Sequence, residues 1–149
     1  VRHLWLLAIG LCGSVALGRA AAAAPATPDG SWLTVDHQAV ITIAPCGAGL
    51  CGRLAGFALA GTAAVPNDWR GQPECGETII QMHATADGWR GTVLDPRDGS
   101  VWQAALTLSA AGTLRLRGYV LLPMLGETQS WTRYVGNPPI GCRLPANRS

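Results

Sequence analysis

"GSWLT", residues 30–34, is where the chain begins to read as folded, directly after an alanine-rich tract that ends in proline. Its counterpart is "SWTR", residues 130–133, in which Trp131 and Arg133 stand two apart and so share one face of an extended segment. A large flat ring near the start and a guanidinium near the end are the parts needed to plug one end of a closed sheet. The ring fills volume that aliphatic side chains would leave empty. The guanidinium lies across its π face and spends its hydrogens on nearby backbone carbonyls. Gly30, Trp32 and Arg133 are therefore read as a structural closure, with Arg133 as a ligand-binding cation the competing role.

Between these two stretches the text repeats one pattern. Short apolar runs alternate with turn residues: "WLTV", "AVITIAP", "CGRLAGF", "ETIIQMHA", "WRGTVLD", "VWQAALTLS", "TLRLRGYV" and "TQSWTRYV". In "VWQAALTL" the side chains of Trp102, Ala104, Leu106 and Leu108 fall on one face. In "TLRLRGYV" Leu114, Leu116, Gly118 and Val120 oppose Arg115, Arg117 and Tyr119. This period of two is that of strands with one dry face. "DHQ", "ADG", "DPRDG" and "AAG" have the composition of hairpin turns, and only residues 58–75 form a long connection. About eight antiparallel strands in a meander lose their two free edges by closing into a barrel. A two-sheet sandwich is the competing arrangement. The fold expected is a single all-β, up-and-down, antiparallel barrel spanning residues 30–136, with a tail over 137–149.

The first 24 residues read as an export signal: an early arginine, a run of Leu, Ile, Ala and Val, then small residues suited to cleavage near Ala22 to Ala24. The apolar run falls short of the ~20 residues a membrane span prefers. Leu11 is too bulky to precede a lipid-modified Cys12. Residues 25–29 then act as a short linker. All eleven basic residues are arginine; removal of Arg2 and Arg19 leaves nine against nine acidic ones. A chain without net charge or a basic block gives no footing to nucleic acid or an anionic membrane. The compartment expected is periplasmic or extracellular, in a bacterium.

Four cysteines follow the leader: Cys46, Cys51, Cys75 and Cys142. An even number in an exported domain reads as disulfides, with three pairings open. "GAGL" between Cys46 and Cys51 is a tight turn, which favours that pair. Cys75 with Cys142 follows by elimination, although the residues themselves leave the second pairing open. A zinc site is disfavoured by the spacing, with only His37 and His83 to add.

The Gly-x-Trp opening and late arginine resemble the pattern of lipocalins and their calycin relatives. The ordered series "GSWLT", "IAPCGAGLCGRL", "RGQPECG", "DPRDGSVW", "LRLRGYV" and "TQSWTR" resembles more closely the bacterial exported family called domain of unknown function 2147, from about Gly30 to Arg133. The resemblance implies a lipocalin-like barrel outside the cytoplasm with no established activity. The chain departs from that pattern in three places. "VPNDWRG" stands where an Asn-Pro-Asp-Pro run is frequent, Tyr119 stands where many members have a cysteine soon after Arg-Gly, and Cys142 lies past the usual end.

Residues suited to catalysis are sparse. Asp95 and Asp98 in "DPRDG" are the best acidic pair for a hydrolase or a metal. Asp, Pro and Gly are also what a turn selects for backbone reasons. The serines lack a nucleophile-elbow setting, no phosphate loop precedes a helix, and no cofactor or metal is expected. What remains is the interior. Val40, Ile80, Met82, Val93, Trp102, Leu106, Leu116 and Val120 are read as inward, mixed with small Ala84, Gly91, Ala104 and Gly118. Met82, Val93, Trp102, Leu106 and Leu116, with Trp69 from the long loop, are the candidate pocket residues. The function expected is non-enzymatic binding of a small apolar ligand. A filled barrel that docks a protein partner is the alternative, and an enzyme using Asp95 and Asp98 a third.

Overall fold

The computed structural model describes residues 27–120, 126–137 and 139–145. The leader expected over residues 1–24, with Cys12, lies outside them. Eight strands follow in chain order: β1 (Gly30–Leu33), β2 (Ala39–Cys46), β3 (Gly49–Phe57), β4 (Thr78–Thr85), β5 (Gly88–Leu94), β6 (Val101–Leu108), β7 (Leu114–Tyr119) and β8 (Glu127–Arg133). Each pairs antiparallel with the next, and β1 pairs with β8, so the sheet is one closed barrel.

The strands have a closed end and an open end. At the closed end Trp32 is fully buried, its indole N–H donating to the Pro28 carbonyl at 2.7 Å. The Arg133 guanidinium lies over the ring, 4.0 Å from its centre. It donates to the carbonyls of Asp29 and Thr27, which ties the segment before β1 to the end of β8. The glycine of Gly-x-Trp has two jobs here. Its φ of +118° lies where a side chain is strained, and a Cβ on Gly30 would collide with the Arg133 guanidinium.

Behind this plug the barrel is solid. Ile43, Leu50, Met82, Leu106 and Leu114 are buried in one cluster with Trp32 and Trp131. Cross-strand register shows which side chains share the inner face: Trp32 stands opposite Ile41, Ile41 opposite Leu54, Met82 opposite Gly91, and Leu114 opposite Trp131.

Two expected inward positions lie elsewhere. Val40 shares its register position with Leu33 and Gly56, on the opposite side of β2 from Ile41. It is buried by the chain's tail rather than by the barrel core: Pro139 and Leu144 pack against the neighbouring Gly56. The run "AVITIA" alternates acceptably in either phase, and Ile41 and Ile43 take the interior. Val120 lies past the end of β7 and is 63 % exposed, because the inward alternation stops with the strand.

Both disulfides are formed. Cys46–Cys51 staples the β2–β3 hairpin at the closed end. Cys75–Cys142 ties the long β3–β4 connection to the tail. The tail also donates from Leu144 N to Phe57 O at 2.9 Å and accepts Phe57 N at Cys142 O, and the Arg143 guanidinium holds the carbonyls of Ala63 and Gly61. It thereby occupies the edge of β3 that β4 leaves free beyond Arg53.

Trp32→Ala should cost about 3–5 kcal/mol by leaving a cavity. Arg133→Gln should cost about 1–2 kcal/mol through the lost cation–π contact and carbonyl bonds. Urea unfolding of both variants checks this order; an Arg133 loss exceeding the Trp32 loss would contradict it.

The two disulfides close loops of very different length, with sequence separations of 67 and 5. Chain entropy then gives about 4 kcal/mol for Cys75–Cys142 and about 2 kcal/mol for Cys46–Cys51. Paired Cys→Ser variants of each should differ in this sense in urea, and the first alone should expose residues 58–75 to limited proteolysis.

Candidate functional site

The open end carries the connections β1–β2, β3–β4, β5–β6 and β7–β8, and it is hollow. A cavity of about 570 Å³ opens there, with Ile41, Leu54, Leu116 and Trp131 toward its floor and Val93 and Trp102 on its walls. Gly118 makes the space: a Cβ at this position would meet only the Val93 side chain, at 4.0 Å. The rim is polar, formed by Asp95, Arg97, Glu127 and Gln129. A larger hollow of about 690 Å³ lies outside the barrel, between the tail and the β1–β2 and β3–β4 connections; the arginine that lines it is Arg133, already committed to the closure.

The β5–β6 turn shapes one side of the mouth. Asp95 accepts from the Arg97 amide at 3.0 Å and from its guanidinium at 2.9 and 2.6 Å. Asp98 accepts from the Ser100 amide at 2.9 Å and hydroxyl at 2.7 Å, and Ser100 Oγ in turn receives the Trp102 indole N–H at 3.1 Å. The turn therefore orients the ring of Trp102, which stays 40 % exposed at the rim. Arg97 holds the Asp95 carboxyl below the ordinary carboxylate range, and the Ser100 hydrogen bonds do the same for Asp98.

The long connection is built around Asp68, whose side chain is fully buried. It accepts the amides of Arg70 and Gln72 at 2.8 Å each and the Arg70 Nε at 2.7 Å. Burial pushes this carboxyl up, but these hydrogen bonds outweigh it and hold it below its ordinary value. Arg70 bridges onward to Glu77 at 2.7 Å and stacks on Trp69, 4.3 Å from the ring centre. Trp69 docks the loop on the β5–β6 turn: its amide donates to Pro96 O at 2.9 Å, and its ring lies over Gly99, where a Cβ would come within 2.7 Å. Glu74 is buried within the long connection, and burial together with Glu77, Asp95 and Asp68 raises its pKa.

Of the six pocket candidates read from sequence, Val93, Trp102 and Leu116 line the cavity. Met82 and Leu106 do not; they are 5 % and 0 % exposed in the packed core below it. Trp69 does not either, because its ring is engaged with Gly99 outside the mouth. Asp95 and Asp98 lie together in the turn, each engaged by turn donors. Glu127 and Gln129 are the residues the sequence reading missed. They share the phase of Trp131 and Arg133 along β8, so the alternation that brings Trp131 to the cavity brings them there also. Among the described residues no three His, Cys, Asp or Glu side chains gather in a way that could hold a metal ion, and no helix is long and apolar enough to cross a membrane.

A closed eight-strand meander, plugged at one end by tryptophan and arginine and hollow at the other, defines a lipocalin-like barrel. In agreement, the chain is similar in structure to a protein of the human pathogen Helicobacter pylori, HP1028, described as belonging to the lipocalin family. The TM-score is 0.57 at 12 % identity, over 71 % of this chain and 82 % of that one. The chain belongs to the bacterial family described as "uncharacterized protein conserved in bacteria (DUF2147)", whose model matches residues 30–133. No curated protein matches it.

The raised pKa of Glu74 has a consequence for stability. The folded state binds this proton more tightly than the unfolded chain. The resulting stabilisation is fully present below the ordinary value of 4.5 and is lost as pH rises through the folded value. Glu74→Gln, which keeps the shape of the protonated acid, should therefore stabilise the protein near neutral pH, with the difference shrinking as the medium is acidified. Urea unfolding at the two extremes checks this; a variant less stable at neutral pH would contradict it.

Proposed function

We propose that this protein is an exported, non-enzymatic carrier that binds a small hydrophobic molecule in the open half of its barrel. The observation that carries the reading is the cavity itself. Its volume falls within the roughly 300–1,000 Å³ of small-molecule sites, and its lining is largely apolar and aromatic with a few polar groups at one edge. Removing ligand surface from water there supplies about 25 cal/mol per Å² before the costs of binding. The glycine in the wall supports the same reading, since any larger residue at position 118 would begin to fill the space.

Export is supported by the leader-like residues 1–24 and by the two disulfides, which persist in oxidising compartments. A role without catalysis is supported by the engagement of Asp95 and Asp98 in their own turn. A protein-docking role draws on Val101 and Val120, which are 62 % and 63 % exposed near the mouth.

The barrel should take up a fluorescent fatty-chain probe, and Gly118→Val should weaken that uptake at least about tenfold, since the new methyls occupy the cavity. The melting temperature should be unchanged or higher. Uptake by the parent chain that Gly118→Val leaves untouched would place binding elsewhere. No uptake at all, combined with envelope proteins captured in a manner lost on changing Val101 and Val120 to Ser, would favour the docking role.

A further inference from the structure

We propose that the ligand taken by this cavity is an amphiphile with a cationic head, in its simplest form a long-chain amine, and that Glu127 is its counter-ion. The inference rests on the cavity being a binding site and names the chemistry it selects.

Three observations converge. Glu127 stands opposite Gly118 in the β7–β8 register, in phase with Trp131, and lines the cavity. No hydrogen bond or ion pair engages it among the described residues. The other charges of the lining cancel, because Arg97 is bound through its Nε and Nη2 by Asp95. The lining is therefore an apolar chamber with one uncompensated carboxylate at its edge.

The surroundings carry the same sign. The connections at this end hold Asp36, Asp68, Glu74, Glu77, Asp95 and Asp98. Only Arg70 and Arg97 lie in those same described connections, and Arg143 of the tail joins them on the long loop. Six of the nine acidic residues thus lie in the connections at the open end, while Arg53, Arg90, Arg115 and Arg117 lie along the strands of the barrel. A cleft with low-dielectric walls and one sign of charge concentrates the opposite ion and repels its own.

The third observation is aromatic. Trp102 stands at the rim and Trp131 at the floor of the same cavity. Tryptophan is the best ring partner for a cation, and this fold uses the contact twice for its own guanidinium groups, at 4.0 Å on Trp32 and 4.3 Å on Trp69. An anionic head would instead meet Glu127, and the arginine of the rim already spends its Nε and Nη2 on Asp95.

The test compares dodecylamine, dodecanol and dodecanoic acid, below their aggregation limits at neutral pH and low salt, by titration calorimetry on the mature chain. The amine should bind tightest and the acid weakest, with a gap of roughly tenfold. Glu127→Gln should remove the advantage of the amine over the alcohol, and added salt should narrow the same gap. Equal binding of all three, preference for the acid, or an amine preference that survives Glu127→Gln overturns the head-group assignment, while uptake abolished by Gly118→Val still upholds the cavity. If none of the three binds, the cavity reading falls and this inference falls with it.

Discussion

The stacking of Arg133 on Trp32 is the constraint on which the barrel depends. β1 and β8 share only two register pairs, Trp32 with Arg133 and Leu33 with Thr132, so main-chain pairing alone makes a thin seam. The ring and the guanidinium thicken it. They join the first and last strands across a separation of about a hundred residues and recruit the carbonyls of residues 27 and 29 into the same closure. Among the described residues no acidic partner meets this charge; a π face and two carbonyl oxygens do so instead.

A packing gradient follows from that seam. Large side chains fill the space near the plug, and the inner face thins toward the other end, where Gly118 stands among the residues that line the cavity. The polar side chains at the wide end are divided between two tasks. Asp68, Asp95 and Asp98 accept amide hydrogens and shape their own turns, as carboxylates in connections commonly do. Among the described residues Glu127 has no such duty. That contrast, rather than the number of acids, separates scaffold from candidate site.

The order and closure of the strands were legible because alternation and turn chemistry agree in nearly every hairpin, from "VWQAALTLS" to "TLRLRGYV". The Cys46–Cys51 staple was legible because a tight turn leaves its flanking residues close together. The face of β2 was not: a run of β-branched and small residues satisfies either phase, and only the contact of Trp32 with Ile41 and the arrival of the tail over Val40 decide it. The pocket was half legible. Val93, Trp102 and Leu116 follow from alternation, but how far the solid core rises beneath them depends on strand stagger, which placed Met82 and Leu106 below the cavity. Glu127 escaped because a carboxylate in a strand reads as solvent-facing until the mouth of the barrel is known to be wet.

The tail that holds the long connection in place lies beyond the residues matched by the family model, which end at 133. The shared scaffold and the stiffness of its entrance are therefore encoded in separate parts of the gene. A short peptide after the last strand, through Cys142 and Arg143, holds the long connection without touching a single rung of the ladder. Selection has in such an appendage a means of adjusting the stiffness of the long connection while the barrel itself stays the same.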